Sequence, residues 1–164
     1  GLKLTASFEP AEGFAWSTMA QFVRSSASTA SGMDNGDYFQ AEQGFAYGDF
    51  SLYGGIAVAD KKGVGGVNGF GDHQPLEEGN RVFEADARTW YLGLGYEWGG
   101  LSLGALYGRT RYEDGGRVKE RELNLVAGYE VIKNMELELI CADVRNDDRT
   151  ESYRKVSLAM VYRF

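Results

Sequence analysis

The stretch that decides the fold is the last one, Arg154 to Phe164, which reads RKVSLAMVYRF. Its apolar side chains stand at every second position: Val156, Leu158, Met160, Tyr162 and Phe164. The positions between them are mostly polar or small. Because successive side chains of a β-strand point to opposite faces, this period of two predicts a strand with one apolar face.

The same alternation recurs through the whole chain. It predicts nine strands, over residues 1–10, 14–25, 37–47, 50–60, 87–98, 101–113, 117–131, 135–146 and 151–164. Short connections at 11–13, 48–49, 99–100 and 132–134 alternate with longer ones at 26–36, 61–86, 114–116 and 147–150. Short turns at one edge and longer loops at the other are typical of a transmembrane antiparallel up-and-down β-barrel. We expect residues 1–164 to form a single domain.

Composition narrows the class of protein. No apolar run approaches the ~18 residues of a membrane helix, but a transmembrane β-strand needs only ~10, half of which can be polar. The net charge of −7 argues against a nucleic-acid partner. The single cysteine, Cys141, excludes an intrachain disulfide, and its position predicts a small filler on the lipid side.

The alternating final strand with its terminal Phe164 resembles the C-terminal strand of bacterial outer-membrane β-barrels, where this ending is a signal for the barrel-assembly machinery. The run from Tyr91 to Phe164 resembles the C-terminal half of Gram-negative general or substrate-selective porins, particularly the Opr-type porins. Three segments carry this resemblance: WYLGLGYEWGGLSLGALYGRTRY, KERELNLVAGYEVIKNMELELICADV and VSLAMVYRF.

The resemblance implies a bacterial outer-membrane protein of about 16 to 18 strands, a possible homotrimer, narrowed by an inward-folded loop. Nine strands then suggest part of a larger barrel. An eight-stranded barrel preceded by an extended arm is the alternative, but segment 1–10 carries an aromatic, Phe8, where a spanning strand would have one. The expected function is passive diffusion of small hydrophilic solutes with a mild cation preference. A small filled eight-stranded barrel acting through its loops as an adhesin or anchor is the alternative function.

If Phe164 lies at the periplasmic edge, the periplasmic and extracellular ends of every other strand are also fixed. The outward aromatics then gather at the turn side: Phe8, Phe14, Trp16, Phe45, Tyr47, Phe50, Tyr96, Trp98, Tyr129, Tyr162 and Phe164. A thinner belt nearer the loops contains Phe22, Phe39, Trp90 and Tyr107. Such belts suit the lipid headgroup level, whereas a soluble barrel or sandwich gives no reason for rings to gather at one end.

The outward bases fall at the opposite, loop-side ends of the strands. They are Arg24, Arg88, Arg109, Arg111, Lys119, Arg121, Arg145 and Arg154. We expect them to contact the phosphates of lipopolysaccharide in the outer leaflet. The alternative is that strand ends near water collect charges of either sign, since Asp37, Asp60, Glu113 and Asp143 share their level and parity.

The inward face is polar and acidic. The residues predicted to line the pore are Glu42, Glu122, Glu138, Gln40, Tyr53, Tyr112, Asn124 and Lys155. Inward acids outnumber inward bases, which favours a water-filled pore that attracts cations.

Loop 61–86 could fold inward as a constriction or project outward, and a mobile surface loop is the simpler interpretation. It contains the only histidine, His73, beside Asp72, a lone pair that we expect to be solvated rather than catalytic. The loop carboxylates lack regular ligand spacing for calcium. We therefore expect no enzyme activity, no cofactor and no metal site.

Overall fold

The computed structural model describes residues 1–25, 36–64, 74–79 and 81–162, and every structural statement concerns these residues. They form nine β-strands: Leu2–Ala11 (β1), Phe14–Ser25 (β2), Gly36–Tyr47 (β3), Phe50–Ala59 (β4), Arg88–Trp98 (β5), Leu101–Glu113 (β6), Arg117–Ile132 (β7), Met135–Asn146 (β8) and Tyr153–Tyr162 (β9). The nine predicted strands are thus confirmed, with starting residues at most two positions from those predicted. No helix in the described ranges is long and apolar enough to cross a membrane.

Each strand pairs antiparallel with the next one along the chain, so the order in the sheet is the order in the sequence. The predicted up-and-down topology is therefore confirmed. The tight turn between β5 and β6 consists of Gly99 and Gly100, whose φ angles of 54° and 84° glycine adopts without strain. The sheet is open: in the described part of the chain β1 pairs only with β2, and β9 only with β8.

The two faces of the sheet differ as the alternation predicts. We call the face that carries Gln40, Thr89 and Tyr91 the inner face; these side chains are 2–3% exposed. The outer face carries residues of the other parity, such as Leu92 and Leu94, which are 49% and 55% exposed. An apolar outer face over a polar, partly covered inner face is the arrangement expected of a barrel wall in lipid.

The turn-side aromatics form contacts along the outer face. Trp16 lies between Phe8 and Phe45, with ring centroids 5.8 and 6.3 Å away, and Phe50 and Tyr96 are 4.6 Å apart. These rings meet because the register sets their residues opposite each other on neighbouring strands. Two groups of contacting rings on the turn side, one across β1–β3 and one across β4–β5, thus follow from the strand register.

Strand β9 begins at Tyr153 rather than at the predicted residue 151, because residues 149–151 form a 3₁₀ turn. The Asp148 carboxylate accepts hydrogen bonds from the backbone N–H and the hydroxyl of Thr150, at 2.9 and 2.8 Å. Such an Asx turn competes with strand pairing. The predictions for Phe164, Asp72 and His73 concern residues outside the described part of the chain.

Candidate functional site

The residues predicted to line a pore lie on the inner face, in or next to its polar networks. Gln40, Tyr112, Glu122 and Asn124 are buried, at 1–2% exposure. Glu42, Tyr53 and Glu138 are half-buried, and Lys155 is exposed on β9. A permeation role for these residues stays a prediction, but the structure brings them together around one segment of chain.

That segment is residues 74–79 and 81–87, which we call the inner segment. It belongs to the long connection between β4 and β5 and packs on the inner face instead of projecting from it. Leu76 and Val82 form a buried cluster with Tyr91, against which Tyr53 and Leu106 pack. Gly108 leaves room for this packing, because a Cβ at position 108 would overlap the end of the Leu76 side chain unless that side chain moved. The simpler interpretation, a mobile surface loop, is therefore wrong for this part of the connection.

The carboxylate of Glu122 holds the inner segment by its backbone. It accepts hydrogen bonds from the N–H groups of Glu78 and Gly79, at 2.8 and 3.1 Å. The Asn124 amide donates a third bond to the same carboxylate, at 2.7 Å. With these bonds made in a site only 1% exposed, the Glu122 side chain is an anchor for the segment and is withdrawn from passing solutes.

A second anchor joins the segment to β9. The Glu78 carboxylate accepts hydrogen bonds from Lys155 Nζ at 2.7 Å and from the Tyr153 hydroxyl at 2.9 Å. The hydrogen bond from Lys155 is the main reason that the pKa of Glu78 lies below its usual value. Lys155 was predicted to line a pore, and the structure gives it this ion-pair partner.

A third anchor, Arg81, lies near the loop-side ends of β6 and β9. Arg81 bonds to Glu84 at 2.9 Å and to Glu151 at 2.7 Å, and its guanidinium lies 5.5 Å from the centre of the Tyr112 ring. Arg81 therefore ties the segment to the turn before β9 and to β6. The three anchors fix the segment against β6, β7 and β9 together.

Glu77 is the exposed acid of the inner segment. Its pKa is raised, first by partial burial and then by the negative charges of Glu138, Glu122 and Glu78. The positive charge of Lys155 opposes this only weakly, as the last of the causes. An excess of negative charge therefore remains where the segment lies over the sheet.

A separate hydrogen-bonded chain crosses the inner face of β3 and β5. Tyr38 donates to Gln40 Oε1 at 2.9 Å, Gln40 Nε2 donates to the Tyr91 hydroxyl at 3.0 Å, and Tyr91 donates to Glu42 at 2.7 Å. Tyr38 and Tyr91 were not among the residues predicted to line a pore. Their inward parity could have identified them, but an aromatic on a strand gives no sign of being a polar link.

The eight outward bases fall at the loop-side ends of the strands, on the outer face. Four are bonded to acids: Arg24 to Asp37 at 2.8 Å, Arg88 to Asp86 at 3.3 Å, and Arg145 and Arg154 to Asp143 at 2.9 and 3.4 Å. The other four, Arg109, Arg111, Lys119 and Arg121, have no ion pair within the described residues. Cys141 is a free thiol on the outer face of β8.

Comparisons with known proteins agree with this architecture. The family model described as "Gram-negative porin" matches residues 2–149. Among solved structures, OccK9 (OpdG) of Pseudomonas aeruginosa is similar with a TM-score of 0.75 at 18% identity. OccAB4 of Acinetobacter baumannii is similar with a TM-score of 0.73 at 13% identity. Both matches cover 98% of this chain, which spans 45% and 44% of those two chains, and no curated protein sequence matches.

Proposed function

The chain belongs to the Gram-negative porin family, and from that premise we propose that its sheet forms part of the wall of a channel for passive diffusion of small hydrophilic solutes. The protein is a component of the bacterial outer membrane, and its family and fold point to a channel rather than an enzyme. The expected contact of Phe164 with the barrel-assembly machinery and a homotrimeric assembly remain part of this proposal.

The observation that carries the proposal is the inner segment. In a closed barrel the inner face lines the lumen, so a segment packed on it narrows the passage. The segment is held by Glu122, Glu78 and Arg81, and a fixed obstruction gives a passage of defined width. Half-buried polar side chains beside it, including Glu42 and Tyr53, offer hydrogen bonds to hydrated solutes.

We further propose that the passage prefers cations. Glu77 lies near Glu138, Glu122 and Glu78, and the base that acts on it, Lys155, is already bonded to Glu78. A narrow, partly desolvated passage lined by excess negative charge concentrates cations and repels anions.

The test is conductance in planar bilayers, with protein purified from outer membranes. Under a KCl gradient we expect steady single-channel steps and a reversal potential of cation-selective sign. The double variant Glu77→Gln/Glu138→Gln should lower the cation-to-anion permeability ratio about twofold or more. The matched control Glu113→Gln/Asp114→Asn removes two exposed acids, one at the end of β6 and one in the turn that follows, and should leave the ratio unchanged.

The outcomes separate the parts of the proposal. Unselective or anion-selective conductance steps would overturn the proposed cation preference but would still support passive diffusion through a channel. The absence of any conductance from correctly folded protein would overturn the proposed channel function and favour an adhesin or anchor that acts through its loops.

A further inference from the structure

The outer face of β5–β8 carries bases directly opposite one another, where opposite charges would be more stable. The register aligns them in two adjacent rows across the strands: Arg88, Arg111 and Lys119 in one, and Arg109, Arg121 and Arg145 in the other. Residues opposite each other in antiparallel strands have Cα atoms about 4.5–5.5 Å apart, and like charges there are unfavourable. The rows thus concentrate positive charge on a small area at the loop side.

The neighbouring acids do not neutralise these rows. Asp86 and Asp143 bond to one end member of each row, Arg88 and Arg145. The other four bases, Arg109, Arg111, Lys119 and Arg121, make no ion pair with any described residue, and the Nε atom of Arg109 is buried without a hydrogen-bond partner among the described residues. We call these four the basic cluster.

This pattern differs from that of the other outward bases. Arg24 forms two bonds to Asp37, at 2.8 and 2.9 Å, and Arg154 bonds to Asp143 at 3.4 Å. If strand ends collected charges of both signs indifferently, the two rows across β5–β8 should contain acids as well as bases. The unpaired donors therefore point to a negatively charged ligand from outside the described chain.

The surroundings of the basic cluster specify where that ligand lies. Arg109 is paired in register with Trp90, whose ring is 5.5 Å from that of Tyr107 in the loop-side aromatic belt. Beyond this belt, toward the turn side, the same strands expose apolar side chains, including Leu92 at 49% and Leu125 at 51%. Aromatic rings at the boundary between apolar and charged surface mark the lipid headgroup level.

A cleft of about 300 Å³ opens beside the basic cluster, between β6, β7 and β8. Its lining contains the bases Arg121 and Arg145, the apolar side chains of Tyr107 and Leu123, and two acids, Asp143 and Glu122. Asp143 is bonded to Arg145, and the Glu122 side chain is buried on the inner face, so the charge of Arg121 is left without a partner among the described residues. A ligand with a phosphate head and acyl chains would contact both Arg121 and the apolar lining, whereas free phosphate would gain nothing from the apolar lining.

We propose that the basic cluster binds the phosphate groups of a phosphorylated, multiply acylated lipid of the outer leaflet, namely lipopolysaccharide. Arg109, Arg111 and Arg121 each present a planar set of N–H donors that matches phosphate oxygens, and Lys119 adds a point charge. The acyl chains lie along the apolar band of β5–β8. The bound phosphates offset the repulsion between the opposed bases.

The test is binding of bisphosphorylated lipid A to the protein, purified from outer membranes in mild detergent and followed by native mass spectrometry. The variant Arg109→Gln/Arg121→Gln should weaken binding about tenfold, as expected from the loss of charge-assisted hydrogen bonds. The control Arg24→Gln/Arg154→Gln removes the same charge from acid-paired positions and should change binding less than about twofold. Arg109→Lys/Arg121→Lys, which keeps the charge, should retain part of the affinity.

Two further arms distinguish the ligand's source. Lipid A stripped of both phosphates should bind weakly, and with the same affinity, to the original protein and to the Arg109→Gln/Arg121→Gln variant. Inorganic phosphate at millimolar concentration should not compete. Equal losses in the two double Gln variants, indifference to the lipid phosphates, or full competition by inorganic phosphate would each overturn the proposal.

Thermal unfolding adds a readout that does not depend on ligand. Without lipid A, Arg109→Gln/Arg121→Gln should unfold at the same or a higher temperature, because opposed like charges are removed. With lipid A, the original protein should gain more stability than this variant. A variant that is less stable without lipid would show that the bases serve the fold, and would contradict the proposal.

Discussion

At the scale of single residues, Glu122 has a role that its position in the sequence does not reveal. Alternation correctly predicts that it points inward. Its partners, the backbone N–H groups of Glu78 and Gly79, lie more than forty residues away in a connection without periodicity. No sequence pattern specifies a bond between a carboxylate and a distant backbone, so the inner segment's position could not be predicted.

Replacing Glu122 should release the inner segment. Glu122→Gln keeps the size but loses the charge that strengthens both backbone bonds, at a cost to segment docking of about 2 kcal/mol. We expect larger and noisier single-channel steps, and faster protease cleavage within residues 74–87. The matched variant Glu138→Gln removes an acid from the same face that makes no hydrogen bond to the described part of the segment, and should leave step size and cleavage unchanged. Quiet, original-sized steps from Glu122→Gln would contradict the anchoring role.

Acidification should act on the inner segment in two steps. The pKa of Glu77 is raised, so on lowering the pH it takes up a proton above the usual glutamate value of about 4.3, and cation selectivity should fall there. The pKa of Glu78 is lowered, so its anchoring contribution is complete above that value and is lost only as the pH falls through the lower one. Reversal potential should therefore change at higher pH than step size does.

Two variants assign the steps. Glu77→Gln should abolish the pH-dependent fall in cation selectivity, while the change in conductance step size at lower pH should remain. Lys155→Met should already show the enlarged steps at neutral pH, because Glu78 has lost the base that holds it. Coincident changes in selectivity and step size would count against this assignment.

At the scale of elements, the strands are the part that the sequence predicts best. Because one face of each strand contacts lipid and the other faces a polar interior, apolar and polar residues alternate along it. Each strand can therefore be predicted from its own sequence alone. The start of β9 was missed because the turn at Asp148 and Thr150 is a local hydrogen-bonding choice that leaves no periodic trace. The strand register then places aromatic residues of neighbouring strands opposite one another, so that their rings form the aromatic rim on the turn side.

Trp16 should be the most sensitive residue of that rim. It contacts Phe8 and Phe45, and its indole N–H donates to Gln43 at 2.7 Å. Trp16→Ala should destabilise the folded protein by about 2 kcal/mol, measured by urea unfolding in lipid vesicles. Leu92→Ala should cost less than about 1 kcal/mol, because a lipid chain can occupy the space left on the outer face. Equal costs would show that the rim adds nothing beyond apolar area.

At the scale of the whole molecule, the two edge strands dominate. Within the described residues β1 and β9 each have one neighbour, which leaves a row of backbone N–H and C=O groups on each strand. Each such group costs several kcal/mol if it is unpaired in lipid. Edges of this kind are incompatible with a membrane unless further strands cover them.

We therefore expect the edges to be covered in the membrane. Hydrogen exchange should be slow along both β1 and β9 in protein from native outer membranes. The 164-residue chain alone in detergent should exchange quickly at those two strands and slowly at β5 and β6. Fast exchange at β1 or β9 in the native membrane would contradict closure by further strands.

The direction of the edge strands limits what can cover them. In an antiparallel sheet of nine strands the first and the last run the same way. Two copies of this chain inserted in the same direction would therefore meet with parallel strands at both seams, against the pattern of the rest of the wall. Antiparallel closure instead requires a complement with an odd number of strands, one that begins and ends on opposite sides of the membrane.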